Sequence, residues 1–356
     1  MATLPIDMPR IEKSERLTAS LSDQRLSIQG PYFDALFFWG APVLSLIFVQ
    51  VWLGTALAFP KAMADHLANI LVVLSVLITY AHLIAVVPRA YLNREVFGAN
   101  RIRLTVVPVA LVTAFVWSPT LMAIGAVVGI FWDIHHSAMQ SFGLSRIYDM
   151  KAGNDVQQLR RVDMRLNWVL YVGPLVAGAA FSTHIDTLRQ LDHVGLSDIA
   201  RLPSILESHV SFFSAIAITA WVFMVGWAML EYRKAMLLGY RLPAHKLVLL
   251  ICTGLVSVLA WGFLSPLVAL VSINIYHAVQ YFALVWLKEG RRMTAFTGVK
   301  PRLAFDLFIG GCVVLGVAYH FASSANIGWL LAPFIACSLL HFWYDGFIWS
   351  VRKKQI

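Results

Sequence analysis

From residue 34 to residue 349 the chain alternates long apolar runs with short polar breaks. The runs occupy residues 34–56, 67–88, 104–117, 120–142, 167–182, 211–230, 247–263, 265–287, 303–321 and 327–349. About 20 apolar residues in a helix cross the hydrocarbon core of a bilayer, and a helix satisfies its backbone polar groups without water. The pattern therefore predicts an all-α, polytopic transmembrane helical bundle of about ten spans. The third run meets the fourth at Trp117-Ser118-Pro119, and the seventh meets the eighth at Phe263-Leu264-Ser265-Pro266. Each pair is expected to form a tight helical hairpin. Residues 1–32 are polar and read as a cytoplasmic tail, 33–350 as a single transmembrane domain, and 351–356 as a basic cytoplasmic tail. The first 32 residues have no basic start leading into a short apolar core, so no removable signal peptide is expected.

Charge orients this bundle. The connections after the second, fourth, sixth, eighth and tenth runs carry the basic residues, beginning with Arg89, Arg146, Arg233, Lys288 and Arg352. The alternate connections are nearly free of them: residues 57–66 hold only Lys61, and 183–210 only Arg189 and Arg201. By the positive-inside rule both termini are cytoplasmic, and a bacterial inner membrane is the expected location. The net charge of +9 is thus explained by topology, so nucleic acid is not expected as a partner. With 59% hydrophobic and 13% charged residues the partner is the lipid bilayer. Cys252, Cys312 and Cys337 lie inside apolar runs without metal-type spacing and read as small buried hydrophobes.

Two hairpins resemble each other. Matching His136 with His277 pairs Asp133 with Asn274, Ile134 with Ile275 and His135 with Tyr276, and a glutamine follows in each, Gln140 and Gln280. Internal duplication is common in membrane folds, with functional sites at the repeat interface.

Four histidines share a depth. His82 lies seven residues before Arg89, His136 ten before Arg146, His277 eleven before Lys288 and His341 eleven before Arg352. At a helical rise of ~1.5 Å per residue, all four fall roughly 10–17 Å inward from the basic edge. Ionisable groups at such depth are costly and mark function. Asp133 and His136 are spaced i, i+3, and His341 and Asp345 i, i+4, so each carboxylate shares a helix face with its imidazole. His135 points about 100° away from His136, and His136 is preferred because it matches His277. His82, His136, His277 and His341 are the candidate metal ligands. Asp133 and Asp345 are expected as extra ligands or orienting groups, with Gln140, Asn274 and Gln280 completing a polar pocket that does the chemistry. His66, His184, His193, His209 and His320 fall at the opposite face and His245 in a cytoplasmic loop, where solvated or interfacial roles suffice.

Imidazole with carboxylate, and no thiolate, suits iron, zinc or copper. Non-haem iron fits oxygen chemistry and zinc fits hydrolysis. A b-type haem held by His136 and His277 is the rival cofactor. Aromatic residues near this depth, among them Phe131, Trp132, Phe142, Tyr281 and Trp343, wall a site that a lipophilic small-molecule substrate would reach from the membrane. The segments Asp133-Ile134-His135-His136, Tyr276-His277-Ala278-Val279-Gln280 and His341-Phe342-Trp343-Tyr344-Asp345 give spans two to ten a resemblance to the Brp/Blh family of integral-membrane carotenoid oxygenases. That resemblance implies a non-haem iron enzyme cleaving β-carotene to retinal. The leading expectation is a membrane-embedded, metal-dependent oxygenase or oxidoreductase, served by an electron donor or other membrane subunits. A proton- or metal-ion-coupled transporter is the second reading, and a structural or haem-binding subunit of a membrane complex the third.

Overall fold

The computed structural model describes residues 24–349 except 208, 326 and 327; both tails as read from the sequence lie largely outside these residues. Among the described residues, ten long helices carry the ten apolar runs. They are α1 Ala41–Leu57, α2 Lys61–Ile84, α3 Arg101–Trp117, α4 Pro119–Lys151 and α5 Arg160–Ala177. Then follow α6 Val210–Leu237, α7 Ala244–Phe263, α8 Pro266–Thr297, α9 Pro301–Ser324 and α10 Gly328–Ile348. No strand occurs among the described residues.

Seven of these helices, α2, α4 and α6 to α10, are long and apolar enough to cross a membrane. Two bent pairs raise the number to nine: Pro31–Trp39 with Ala41–Ala56, bent by 55°, and Arg160–Ala177 with Phe181–Arg189, bent by 89°. The one apolar run left is the third, α3, whose 17 residues reach about 25 Å against a hydrocarbon thickness of about 30 Å. Apolar side chains on the outside, such as Val222 at 57% and Phe223 at 72% exposure on α6, need lipid around them. This is an integral membrane protein.

Local chemistry sets the helix ends. Pro119, Pro266 and Pro301 occupy first turns, where the missing N–H costs nothing. Between α3 and α4 the Ser118 hydroxyl accepts a hydrogen bond from the Leu121 N–H at 3.3 Å. Gly298, at φ 68°, stops α8 in the left-handed region that glycine tolerates. Packing then uses small residues, as lipid-embedded bundles do. A Cβ on Gly316 of α9 would come within 2.5 Å of the Leu77 carbonyl oxygen on α2, so only glycine permits that approach. The eighth helix is the most buried of the spans and forms the centre of the bundle.

The basic end of the bundle differs from the sequence expectation. Arg89, Arg146 and Lys246 are buried rather than solvated in loops. Arg146 pairs with Asp149 and Asp163, and Lys246 reaches the same two carboxylates at 2.7 and 2.8 Å. Tyr232 and Tyr240 donate to Asp163 and Asp149. Arg89 meets Glu289 at 2.5 Å. His245 also proves fully buried, in the first turn of α7, stacked on Tyr148 at 5.3 Å between ring centres. His184 is buried too, with Nε2 3.0 Å from the Trp261 carbonyl oxygen. Position in a polar break does not reveal whether a side chain turns outward, and here opposite charges at distant positions draw these groups inward.

Candidate metal centre

Helices α2, α4, α8 and α10 converge on their four histidines. The imidazole rings form a closed four-membered circuit, with centres 5.0 Å apart for His82 and His277 and 4.9 Å for His277 and His136. His136 and His341 then stand 4.9 Å apart and His341 and His82 5.2 Å apart. His82, His277 and His341 are fully buried and His136 is 4% exposed. Four residues separated by up to 259 positions thus share one point in the bundle.

The nitrogen atoms inside this circuit lack protein partners. Both nitrogens of His82, both of His277, Nε2 of His136 and Nε2 of His341 make no hydrogen bond. The Ile78 and Thr79 carbonyls approach His82 from its own helix, but neither meets hydrogen-bond geometry. His341 is oriented by a contact of 2.9 Å between Nδ1 and the Leu83 carbonyl oxygen. A carbonyl only accepts, so Nδ1 carries the proton and Nε2 presents its lone pair.

One carboxylate completes the group. Asp345 Oδ2 lies 3.7 Å from His136 Nε2 and 3.8 Å from His341 Nε2. Its other oxygen, Oδ1, accepts hydrogen bonds from the Tyr281 hydroxyl at 2.9 Å and Trp349 Nε1 at 3.0 Å. One oxygen is therefore anchored and the other faces the imidazoles. Ligand atoms of His82, His277 and His341 lie within 4.8 Å of one another, as do those of His136, His341 and Asp345. Metal–nitrogen bonds of about 2.0–2.1 Å at angles of about 90–120° set two ligand atoms about 2.9–3.6 Å apart, so an ion would contract these groups around itself. The two triplets share His341, whose single available nitrogen serves one ion, and the arrangement suits a mononuclear site.

The remaining polar residues do other work. Gln140 Nε2 donates to the His277 carbonyl at 3.0 Å and to Gln280 Oε1 at 2.8 Å, and Gln280 Nε2 donates to the Phe38 carbonyl at 2.7 Å. These amides tie α4 and α8 to the turn before α1. Asp133 lies against the Asn274 side chain, away from the ligand triplets. His135 is exposed and accepts a hydrogen bond from Trp168 Nε1 at 2.9 Å. The three polar pairs matched between the two hairpins, Asp133 with Asn274, His136 with His277 and Gln140 with Gln280, thus face each other across α4 and α8.

Sequence reasoning passed over the residues that hold Asp345. Tyr281 entered only as a wall residue, yet its ring also packs on His341 at 4.8 Å. Trp349 anchors Asp345 and carries the Arg89 guanidinium 4.7 Å from its ring centre. Arg89 in turn donates to the Ile348 carbonyl at 3.2 Å, so the buried Arg89–Glu289 pair fastens the end of α10. Tyr281 stands four residues after His277 and Trp349 four after Asp345, a spacing that puts each pair on one helix face. That signal was available.

A cavity of about 600 Å³ opens beside the centre between α4, α5, α8 and α10. It reaches His136 and Asp345 but not His82, His277 or His341. Comparison of the chain with protein-family models, with curated proteins and with solved structures finds no match.

Proposed function

We propose that this protein is a membrane-embedded, metal-dependent enzyme, a non-haem iron oxygenase or oxidoreductase acting on a lipid-soluble substrate. One observation carries the reading: four buried imidazoles from four helices turn unpartnered nitrogens towards one another beside an anchored carboxylate. An unsatisfied buried polar atom costs about 1–3 kcal/mol, and a histidine serving only to glue helices would be hydrogen-bonded across them. A cation relieves several such costs at once. The donor set fits iron, zinc or copper. Iron is favoured because the adjoining cavity is largely walled by apolar side chains, and a hydrocarbon offers carbon–hydrogen and carbon–carbon bonds rather than a bond for hydrolysis. Bound iron would supply oxygen or electron chemistry. His82, His277 and His341 would hold it, with His136 and Asp345 as further ligands on the side of the cavity. Four rings spaced 4.9–5.2 Å around a circuit leave no slot for a macrocycle, so haem is the weaker fit.

A transporter reading has less behind it. Beyond the circuit, the hydroxyls of Ser75, Ser257 and Ser272 are each spent on a backbone carbonyl. We further infer ten crossings with the basic ends and both termini cytoplasmic, in a bacterial inner membrane, and reduction by an external electron donor. Elemental measurement and optical spectroscopy of purified protein test the central reading. The expected result is about one iron per chain without a Soret band, lost in His82→Ala and His277→Ala. A Soret band, or no metal in the wild type, refutes it.

A further inference from the structure

Two helical glycines line the cavity, Gly143 on α4 and Gly346 on α10, and a Cβ at either would meet nothing within 4 Å. Glycine inside a helix costs about 1 kcal/mol relative to alanine, and alanine fits at both positions. Close packing, which explains Gly316, explains neither. At both positions the missing side chain leaves its volume to the cavity. That space of about 600 Å³ accommodates about twenty non-hydrogen atoms at roughly 30 Å³ each, the volume of a water molecule in the liquid. A two-chain phospholipid is far too large.

Polarity along the cavity sets the orientation of an occupant. His136 is buried and Asp345 half-buried at the metal centre, Met139, Leu284 and Phe342 belong to the apolar lining, and Gln157 and Arg160 are exposed. Arg146 also lines the cavity but is engaged by Asp149 and Asp163. Arg160 is exposed, and its guanidinium lies 5.7 Å from the centre of the Phe142 ring. It opens α5. From Phe142 back to His136 is a helical distance of about 9 Å, which brings a carbon well along the chain, not one beside the acid, to the metal centre.

We propose that this cavity binds a single-chain acidic lipid of about twenty non-hydrogen atoms, its acid at Arg160 and its chain running inward to His136 and Asp345. The proposal rests on the metalloenzyme reading for what happens at the inner end, whereas binding itself needs no metal. The full chain in phosphatidylcholine nanodiscs is titrated with cis-parinaric acid, an 18-carbon fluorescent polyene acid, following energy transfer from tryptophan, with iron content measured in parallel. Saturable binding displaced by stearic acid is expected in the wild type. Gly143→Phe and Gly346→Phe, on separate helices so that one folding failure leaves the other, should each weaken binding at least tenfold. Arg160→Gln should weaken the acid about tenfold and leave its methyl ester unchanged. Absence of saturable binding in the wild type, or wild-type affinity in the folded glycine variants, overturns the proposal. Equal weakening of acid and ester by Arg160→Gln overturns the assigned orientation. Iron-free protein that binds the probe with this variant pattern supports the lipid site while removing the metal reading; iron-loaded protein that ignores the probe does the reverse.

Discussion

Replacing Tyr281 by phenylalanine removes one oxygen atom from the centre while leaving its ring against His341. The lost hydroxyl is one of two donors on Asp345 Oδ1, at 2.9 Å, with Trp349 Nε1 at 3.0 Å as the survivor. Asp345 then loses half of the hold that turns Oδ2 towards His136 and His341. A hydrogen bond to a charged group contributes about 1.5–3 kcal/mol. Removing a group that orients a metal ligand costs about 10–100-fold in metal affinity, which at about 1.36 kcal/mol per tenfold step is about 1.4–2.7 kcal/mol. The two routes agree, so Tyr281→Phe should raise the Fe(II) dissociation constant by about one to two orders of magnitude. Anaerobic competition against a calibrated chelator reads this directly. Tyr276→Phe is the control, because that buried hydroxyl pairs with Tyr171 at 2.5 Å and makes no contact with Asp345. A Tyr281→Phe constant within threefold of the wild type, or an equal loss in Tyr276→Phe, would refute the orienting role.

Other expectations follow from the same geometry. His136→Ala should weaken metal binding whereas His135→Ala should not, since His135 points to Trp168 outside the circuit; chelator competition separates them. Lys246→Met leaves Asp149 and Asp163 with Arg146 as their one remaining cation among the described residues and should destabilise the protein by about 3–5 kcal/mol, seen as a lowered unfolding temperature in detergent; unchanged stability would remove the network from the account of the fold. Gly316→Val drives a side chain into the Leu77 carbonyl and should cost about 1–3 kcal/mol by overpacking, measured in the same assay. Burial and the neighbouring Asp149 raise the Tyr240 hydroxyl above its ordinary value. Its contribution to stability is complete below about pH 10, where an unfolded tyrosine titrates, and is lost as pH rises further; Tyr240→Phe should blunt that alkaline loss in pH-dependent unfolding.

The chain's hydrophobic pattern was enough to locate ten helices, because lipid leaves a polar backbone no alternative to helix, although α4 and α8 run on to Lys151 and Thr297, nine and ten residues past their apolar runs. Counting back from each basic edge was enough to select His82, His136, His277 and His341 from eleven histidines, since helical rise converts residue number into depth. Same-face spacing likewise tied Asp345 to His341. Depth along separate helices carries no information about lateral distance, so only the packed bundle decided that four imidazoles close into one circuit. Packing also decided that Asp133 turns to Asn274 and that the glutamines tie helices together. It buried Arg89 and Arg146, which the sequence placed in the basic connections, and Lys246 with them, because their carboxylate partners lie up to 200 positions away. The cavity beside the centre is a property of four helices jointly, and two glycines that look unremarkable in sequence acquire meaning only where the space they leave can be seen.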